Sequence, residues 1–451
     1  MIMRTWIKSP LAISVSERIN AGNGVVVQED HIEELVKTGS KPQREIDSII
    51  DASDQVVLPG LINTHHHYYQ TLTRAAPDSL NKGLFPWLKS LYPIWAGLTE
   101  EMIHVSTQLA CVELMRSGCT TSADHHYLFP HAVNEALDIQ VEGVKQVGIR
   151  SMLTRGSMSV GINQGGLPPE STIQDEETIL NDCERVIGKY HDASPGSMLS
   201  IALAPCSPFS VSRELMLETR KLAQKHNVKL HTHLAETEDE SNYCIEKLGC
   251  RPLQYLEEVD WLNDNTWLAH GIHFNKTEIA KLGQAGTQIS HCPTSNMMLG
   301  SGHCRVLDLQ ESGSPVGLGV DGSASNDCSN MIQEVRQAFL LNRLHYGADR
   351  FGHIEALNLA TSGSAACLGR TDIGEIKVGS QADLAMFKLD ELSFSGAGDP
   401  LAALVLCNAH KVHNLMIAGK WKVQEGDFLD TDINALQTRH EYLAQKLQSA
   451  A

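Results

Sequence analysis

The sequence predicts an α/β fold: a (β/α)8 TIM barrel with a small flanking β-sandwich domain built from both chain termini. Three observations predict it. From about residue 59 to 370, eight short apolar runs alternate with amphipathic helical segments, the pattern of parallel strands joined by helices. Both ends read instead as short strands and turns: TWIKSPLAIS, GNGVVVQED and SIIDASDQVVLP before the barrel, IGEIKVGSQADLAMFKL and NLMIAGKWKVQEG after it. Histidines and carboxylates recur where the apolar runs stop, and barrel active sites are built at the C-terminal ends of strands. The expected boundaries are 1–58 plus 371–451 for the composite β domain, closed by a helix at TDINALQTRHEYLAQKLQ, and 59–370 for the barrel. A doubly wound open sheet is the competing arrangement of the same alternation.

Taken in order, the barrel strands are expected to end at His67, Asp124, Arg155, Pro205, Leu234, His270, Cys292 and Asp321. Helices such as TEEMIHVSTQLACVELMRSG and SRELMLETRKLAQKHN lie between them. In LPGLINTHHHYYQ, residues 58–70, strand alternation puts Leu61, Asn63, His65 and His67 on one face. Ile62, Thr64 and His66 take the other, so only His65 and His67 can converge on one ion; His66 is a packing or supporting residue. On VKLHTHL, His231 and His233 share a face, with Glu236 three residues past His233. His270 ends TWLAH and Asp321 ends VGLGVD.

Composition narrows the function. The 451 residues, 42% hydrophobic and 20% charged, describe a globular chain able to bury a large core. A net charge of -18, from 54 acidic and 36 basic residues, argues against nucleic acid or an anionic membrane as partner. No apolar run reaches membrane-spanning length, and Met1–Pro10, with Arg4, Trp6 and Lys8, lacks a signal-peptide pattern. A cytoplasmic setting is expected. The 11 cysteines include no CxxC pair, so they read as reduced thiols such as Cys111, Cys119 and Cys367 in apolar surroundings. No GxSxG elbow supports a serine hydrolase.

Imidazole and carboxylate donors without thiolate suit a zinc or iron(II) site that keeps water. Such an ion lowers the pKa of its bound water from near 16 towards about 7. The candidate ligands are His65, His67, His233 and Asp321. Gln70 either reads a substrate ring edge or is a loop amide; Arg155 either holds a substrate carbonyl or forms a structural ion pair. Trp87, Tyr127 and Phe129 stack on substrate or pack. His125, His126 and His231 line the pocket, orient a ligand or pack; His273 and His291 belong to the same rim. His104, His226, His345 and His440 fall on helix-like segments and read as surface residues.

NTHHH, HTHLAE, the AH of TWLAH and VDGSASND resemble the amidohydrolase superfamily, and the resemblance covers essentially the whole chain. HTHLAET and VDGSASN are similar to its aromatic deaminases and triazine hydrolases. The resemblance implies one divalent metal ion, zinc with iron(II) as alternative, on His65, His67, His233 and Asp321, without a carboxylated lysine. It also implies Glu236, His270 and Asp321 as catalytic groups, and Gln70, Arg155 and His270 as substrate contacts. Longer runs, among them HHHYYQTLTRA, LFPWLKSLYP, SGCTTSADHHYLFP, LTRGSMS and LAPCSPFSV, resemble deaminases of an oxidised purine. The reaction they imply is 8-oxoguanine plus water giving urate and ammonia; a pterin, isocytosine or s-triazine is the alternative substrate. Zinc deaminases with HxE and PCxxC have a different fold, and PCxxC is absent. A homo-oligomer is expected, as is usual in the superfamily. A barrel that lost catalysis and serves in assembly would lack ligands, and none is missing.

Overall fold

The computed structural model describes residues 3–15, 20–133 and 135–449. Eight parallel strands follow one another around a barrel in chain order: Leu61–Asn63, Cys119–His126, Arg150–Ser157, Leu199–Pro205, Leu230–Leu234, Thr266–His270, Gln288–His291 and Val316–Leu318. The circle closes where Thr64 N–H donates to the Leu318 carbonyl and Asp321 N–H to the His65 carbonyl, both at 3.0 Å. Helices return the chain between strands. Glu100–Arg116 starts at Thr99, whose side chain accepts from Met102 N–H; Arg213–His226 starts at Ser212 in the same way and ends at Asn227 with φ +52°. Such caps satisfy helix-end groups that have no partner inside the helix.

Ile62, Ala123, Met152, Ala202 and Trp267 fill the barrel interior and rest on Ala365, Leu368 and Ile373. This plug leaves the C-terminal strand ends as the place where polar groups can meet. Strand limits differ from the sequence expectation in detail. The second and third strands run on to His126 and Ser157, whereas the first stops at Asn63 and the last at Leu318. The stretches carrying His65, His67 and Asp321 therefore lie past regular strand and are free to bend.

The two chain ends build two further sheets. Four strands lie in the order His31–Leu35, Gly24–Gln28, Arg4–Lys8 and Ser48–Asp51. Six lie in the order Asp427–Phe428, Lys420–Gln424, Asn414–Ile417, Leu384–Lys388, Gln55–Pro59 and Ala12–Ile13. The termini are interleaved, since Val57 pairs antiparallel with Met386. Ile7, Val25, Val27, Val57, Leu384 and Met386 form the core between these sheets, while Val56 and Leu58, one residue out of phase, join the core around the barrel. Among the described residues no helix is long and apolar enough to cross a membrane. All 11 cysteines are free thiols, Cys328 exposed and most others buried.

Candidate metal centre and catalytic pocket

His65, His67, His233 and Asp321 meet at the C-terminal mouth of the barrel. His65 Nε2 and His67 Nε2 each lie 3.3 Å from Asp321 Oδ1, and His233 Nε2 lies 3.2 Å from His67 Nε2. The other ring nitrogens decide which lone pairs face inward. His67 Nδ1–H donates to the His125 carbonyl at 2.7 Å, and His233 Nδ1–H to the Cys206 carbonyl at 2.6 Å. His231 Nδ1–H donates to the Trp267 carbonyl at 2.8 Å, so its Nε2 accepts from His65 Nδ1–H, also at 2.8 Å. Each of the three histidines is thereby held with an unprotonated Nε2 turned to the centre, the arrangement a metal requires. His231 itself is a supporting residue, one of the roles its strand face left open.

Electrostatics agree with that geometry. Burial drives His65 well below the usual histidine range and His233 down to about 3, so both rings are neutral. Ser295 Oγ donates to Asp321 Oδ2 at 2.6 Å and Gly322 N–H to Oδ1 at 2.7 Å. Imidazole nitrogens turned inward around a carboxylate fit a divalent cation. His65 Nε2, buried with no protein hydrogen-bond partner, is an orphaned donor atom that such an ion would satisfy. His125 adjoins the same group. Its Nε2–H is tied to the Ala204 carbonyl at 2.9 Å, leaving Nδ1 without a partner.

His270 and Glu236 stand on the neighbouring strand ends, with His270 Nε2 3.5 Å from Glu236 Oε2 and 4.0 Å from Asp321 Oδ2. Burial, then the Asp321 charge, raises the Glu236 carboxyl well above its usual range. Ala235, His270 and Asp321 have φ of +54°, +73° and +62°, left-handed backbone that is uncommon for residues other than glycine and is found at functional turns. These bends redirect the chain at the ends of three strands. Glu240 secures one of them by accepting from Ala235 and Glu236 N–H at 2.9 and 2.8 Å.

The pocket above this centre is lined by Gln70, Trp87, Tyr92, Tyr127, Cys206 and Phe209, besides the groups named. Gln70 is buried rather than a surface amide; its Oε1 accepts from Ala324 N–H at 3.3 Å. A Cβ at Gly322 would come within 1.9 Å of that oxygen, so a glycine is needed for the close approach. Helix Leu84–Trp95 closes the top, and Trp87 Nε1–H donates to the Ala324 carbonyl at 3.1 Å.

Other expectations need correction. Arg155 does not reach the pocket. Met152 packs inside the barrel while Leu153 belongs to the outer core, so alternation turns Arg155 outward. There it donates to Asp182 at 2.6 Å and Gln174 at 2.8 Å and stacks on Phe129 at 3.7 Å; the structural ion pair is the observed alternative. Phe129, past the end of the second strand, packs against Arg155 and His126 and is absent from the pocket lining. His440 lies on a helix but is 7% exposed, bonded through Nε2 to Thr71 Oγ1 at 3.0 Å. His66 is buried off the centre, its Nδ1 accepting from His67 N–H at 2.7 Å. The route to this outcome also differs. Ile62 points into the barrel and Leu61 outward, so a regular strand would have carried Thr64 and His66 inward; the break after Asn63 brings His65 and His67 in instead.

Sequence reasoning missed Ser295 and Asn296, on helix Pro293–Met298 just past the seventh strand. Asn296 Oδ1 accepts from His270 Nδ1–H at 2.9 Å, which leaves His270 Nε2 facing Glu236. Pro at a helix start after a strand ending in HC was the available signal. A larger cleft of about 560 Å³, lined by Thr71, Arg74, Glu113, Cys328 and His440, opens beside the C-terminal helix, apart from this donor set.

Comparison with known proteins agrees with the geometry. Residues 56–422 match the amidohydrolase family. The chain is 55% identical over 444 residues to an 8-oxoguanine deaminase of Pseudomonas aeruginosa, covering 98% of this chain and 99% of the relative. It is 34% identical over 418 residues to an isoxanthopterin deaminase from an unknown prokaryotic organism, covering 88% and 87%. An atrazine chlorohydrolase of Arthrobacter aurescens, crystallised with zinc, superposes with a TM-score of 0.92 at 27% identity, over 98% of this chain and 100% of that one. The chain belongs to the amidohydrolase family.

Proposed function

We propose that this chain is a hydrolytic deaminase that converts 8-oxoguanine and water to urate and ammonia, with one zinc ion held by His65, His67, His233 and Asp321. The end-to-end likeness to the Pseudomonas deaminase carries the choice of substrate. The donor set supports the metal, and the zinc-bound structural neighbour favours zinc over iron(II). When bound, the ion would supply Lewis acidity, making a water acidic enough to be a nucleophile at neutral pH.

The remaining chemistry is assigned to the side chains. Glu236, which holds a proton more tightly than an ordinary glutamate, takes one proton from the attacking water and delivers it to ring N3, making C2 electrophilic. His270, its Nδ1–H tied to Asn296, stabilises the water and the adduct through Nε2. Asp321, oriented by Ser295, passes the second water proton to the departing amine. The C2–N bond breaks and ammonia leaves. Positioned proton transfer of this kind is worth about 100- to 10,000-fold in rate. Gln70 reads a substrate edge from the opposite side, and the closed aromatic wall excludes bulk water. The same reading includes a cytoplasmic setting and a homo-oligomer.

The test is a panel of purines, pterins, isocytosine and s-triazines assayed for ammonia release and, for 8-oxoguanine, for urate absorbance. Faster turnover of a pterin or triazine than of 8-oxoguanine would overturn the substrate.

A further inference from the structure

Tyr92 offers the pocket a hydrogen bond that nothing in the protein uses. It lies on the helix Leu84–Trp95 that closes the site and is 1% exposed. Its hydroxyl is buried without a protein hydrogen-bond partner. Among the described pocket-lining residues, it is the buried side-chain oxygen or nitrogen left in that state. The neighbouring donors are committed: Trp87 Nε1–H to Ala324 and His270 Nδ1–H to Asn296. A hydroxyl kept buried and unpaired in the free enzyme is a cost to folding, and it is recovered if a ligand supplies the acceptor.

Placement says which acceptor. Tyr92 lies on the helix that closes the pocket above the metal centre, and lines that pocket together with Leu84, Trp87 and Leu88. Gln70, tied to Ala324 beyond the eighth strand, stands across the barrel from Glu236 on the fifth. In a purine attacked at C2 with N3 turned to Glu236, N1 and C6 point away from Glu236. C8 is the ring atom farthest from C2, so with C2 at the metal centre the C8 end of the purine faces the helix that closes the pocket. An oxygen on C8 is the acceptor that separates 8-oxoguanine from guanine, which carries only hydrogen there.

We propose that the Tyr92 hydroxyl donates a hydrogen bond to the C8 oxygen of the substrate and thereby selects oxidised over unoxidised guanine. This rests on the substrate reading above, and its test separates the two. Wild-type turnover of 8-oxoguanine is measured first; its absence removes the substrate reading and this one with it. Given turnover, Tyr92→Phe should lower kcat/KM for 8-oxoguanine about ten-fold or more and that for guanine much less, so the ratio falls. Thermal unfolding of the free variant should match or exceed wild type, because no native hydrogen bond is lost. An unchanged ratio, or a lower melting temperature with the ratio intact, would make the hydroxyl structural and overturn the proposal. A second measurement is inhibition: urate differs from xanthine by the C8 oxygen and the ring N–H that accompanies it, and wild-type enzyme should be inhibited more strongly by urate, by about ten-fold, a preference that Tyr92→Phe should reduce. Equal inhibition would overturn it as well.

Discussion

Replacing His231 by Phe probes how the metal site is held without touching a proposed ligand. A phenyl ring can keep the stacking of His231 on Trp267, whose rings lie 4.2 Å apart at 16°. It removes the acceptor for His65 Nδ1–H and the donor to the Trp267 carbonyl, two 2.8 Å hydrogen bonds. His65 is 1% exposed, so its freed N–H has no water to turn to. A buried donor left unpaired costs about 1–3 kcal/mol. The ring also loses its fixed tautomer, and in the form protonated on Nε2 it cannot bind metal. Loss of one such supporting partner typically lowers metal affinity about 10- to 100-fold, or about 1.4–2.7 kcal/mol, which agrees with the unpaired-donor figure. The assay is competition for the metal against a graded series of chelators, followed by kcat at saturating metal. His231→Phe should release metal to weaker chelators than wild type does, and recover part of its activity when metal is in excess. Wild-type retention of metal would show that His231 does not orient His65.

Glu236→Gln keeps the shape of the side chain but cannot shuttle a proton, so kcat should fall by about 100- to 10,000-fold with metal content unchanged; full activity would remove Glu236 from the mechanism. Arg155→Met should lower stability, by up to about 3–5 kcal/mol for a broken buried pair, while KM for substrate stays at the wild-type value; a raised KM with unaltered stability would restore Arg155 to the site. His440 is depressed to about 4, by burial first and then by Arg74, so the folded state resists protonation that the unfolded state accepts. Its contribution is full above pH 6.5 and is lost as pH falls from 6.5 towards 4, up to about 3 kcal/mol. His440→Gln, which can keep the Thr71 contact, should flatten that part of a urea-unfolding profile against pH; an unchanged acid limb would contradict the assignment.

What could be read in the sequence follows from where each signal lies. The barrel was legible because eight apolar runs alternate with helices, and the proposed ligands because they cap those runs. Residues joined by local geometry, such as His231 and His233 on one strand face, needed only the period of two. Arg155 was not legible: all eight residues of Arg150–Ser157 are buried. A parallel strand covered on both faces gives no polar alternation from which to set its phase. His65 and His67 were grouped correctly, yet through an alternation that the chain abandons after Asn63. Ser295 and Asn296 act on Asp321 and His270, each 26 residues away in sequence, and only the closed barrel brings them together. His440 read as surface because its helix is polar; the partner that buries it, Thr71, lies 369 residues earlier.

The central claim is that this pocket adds water to C2 of 8-oxoguanine and expels the amine. The most direct measurement is turnover of 8-oxoguanine by the metal-loaded enzyme in oxygen-18 water, with urate and ammonia quantified together. The account predicts one ammonia released per urate formed and one labelled oxygen in each urate. Urate without the label, or 8-oxoguanine recovered unchanged from fully loaded enzyme, would contradict it.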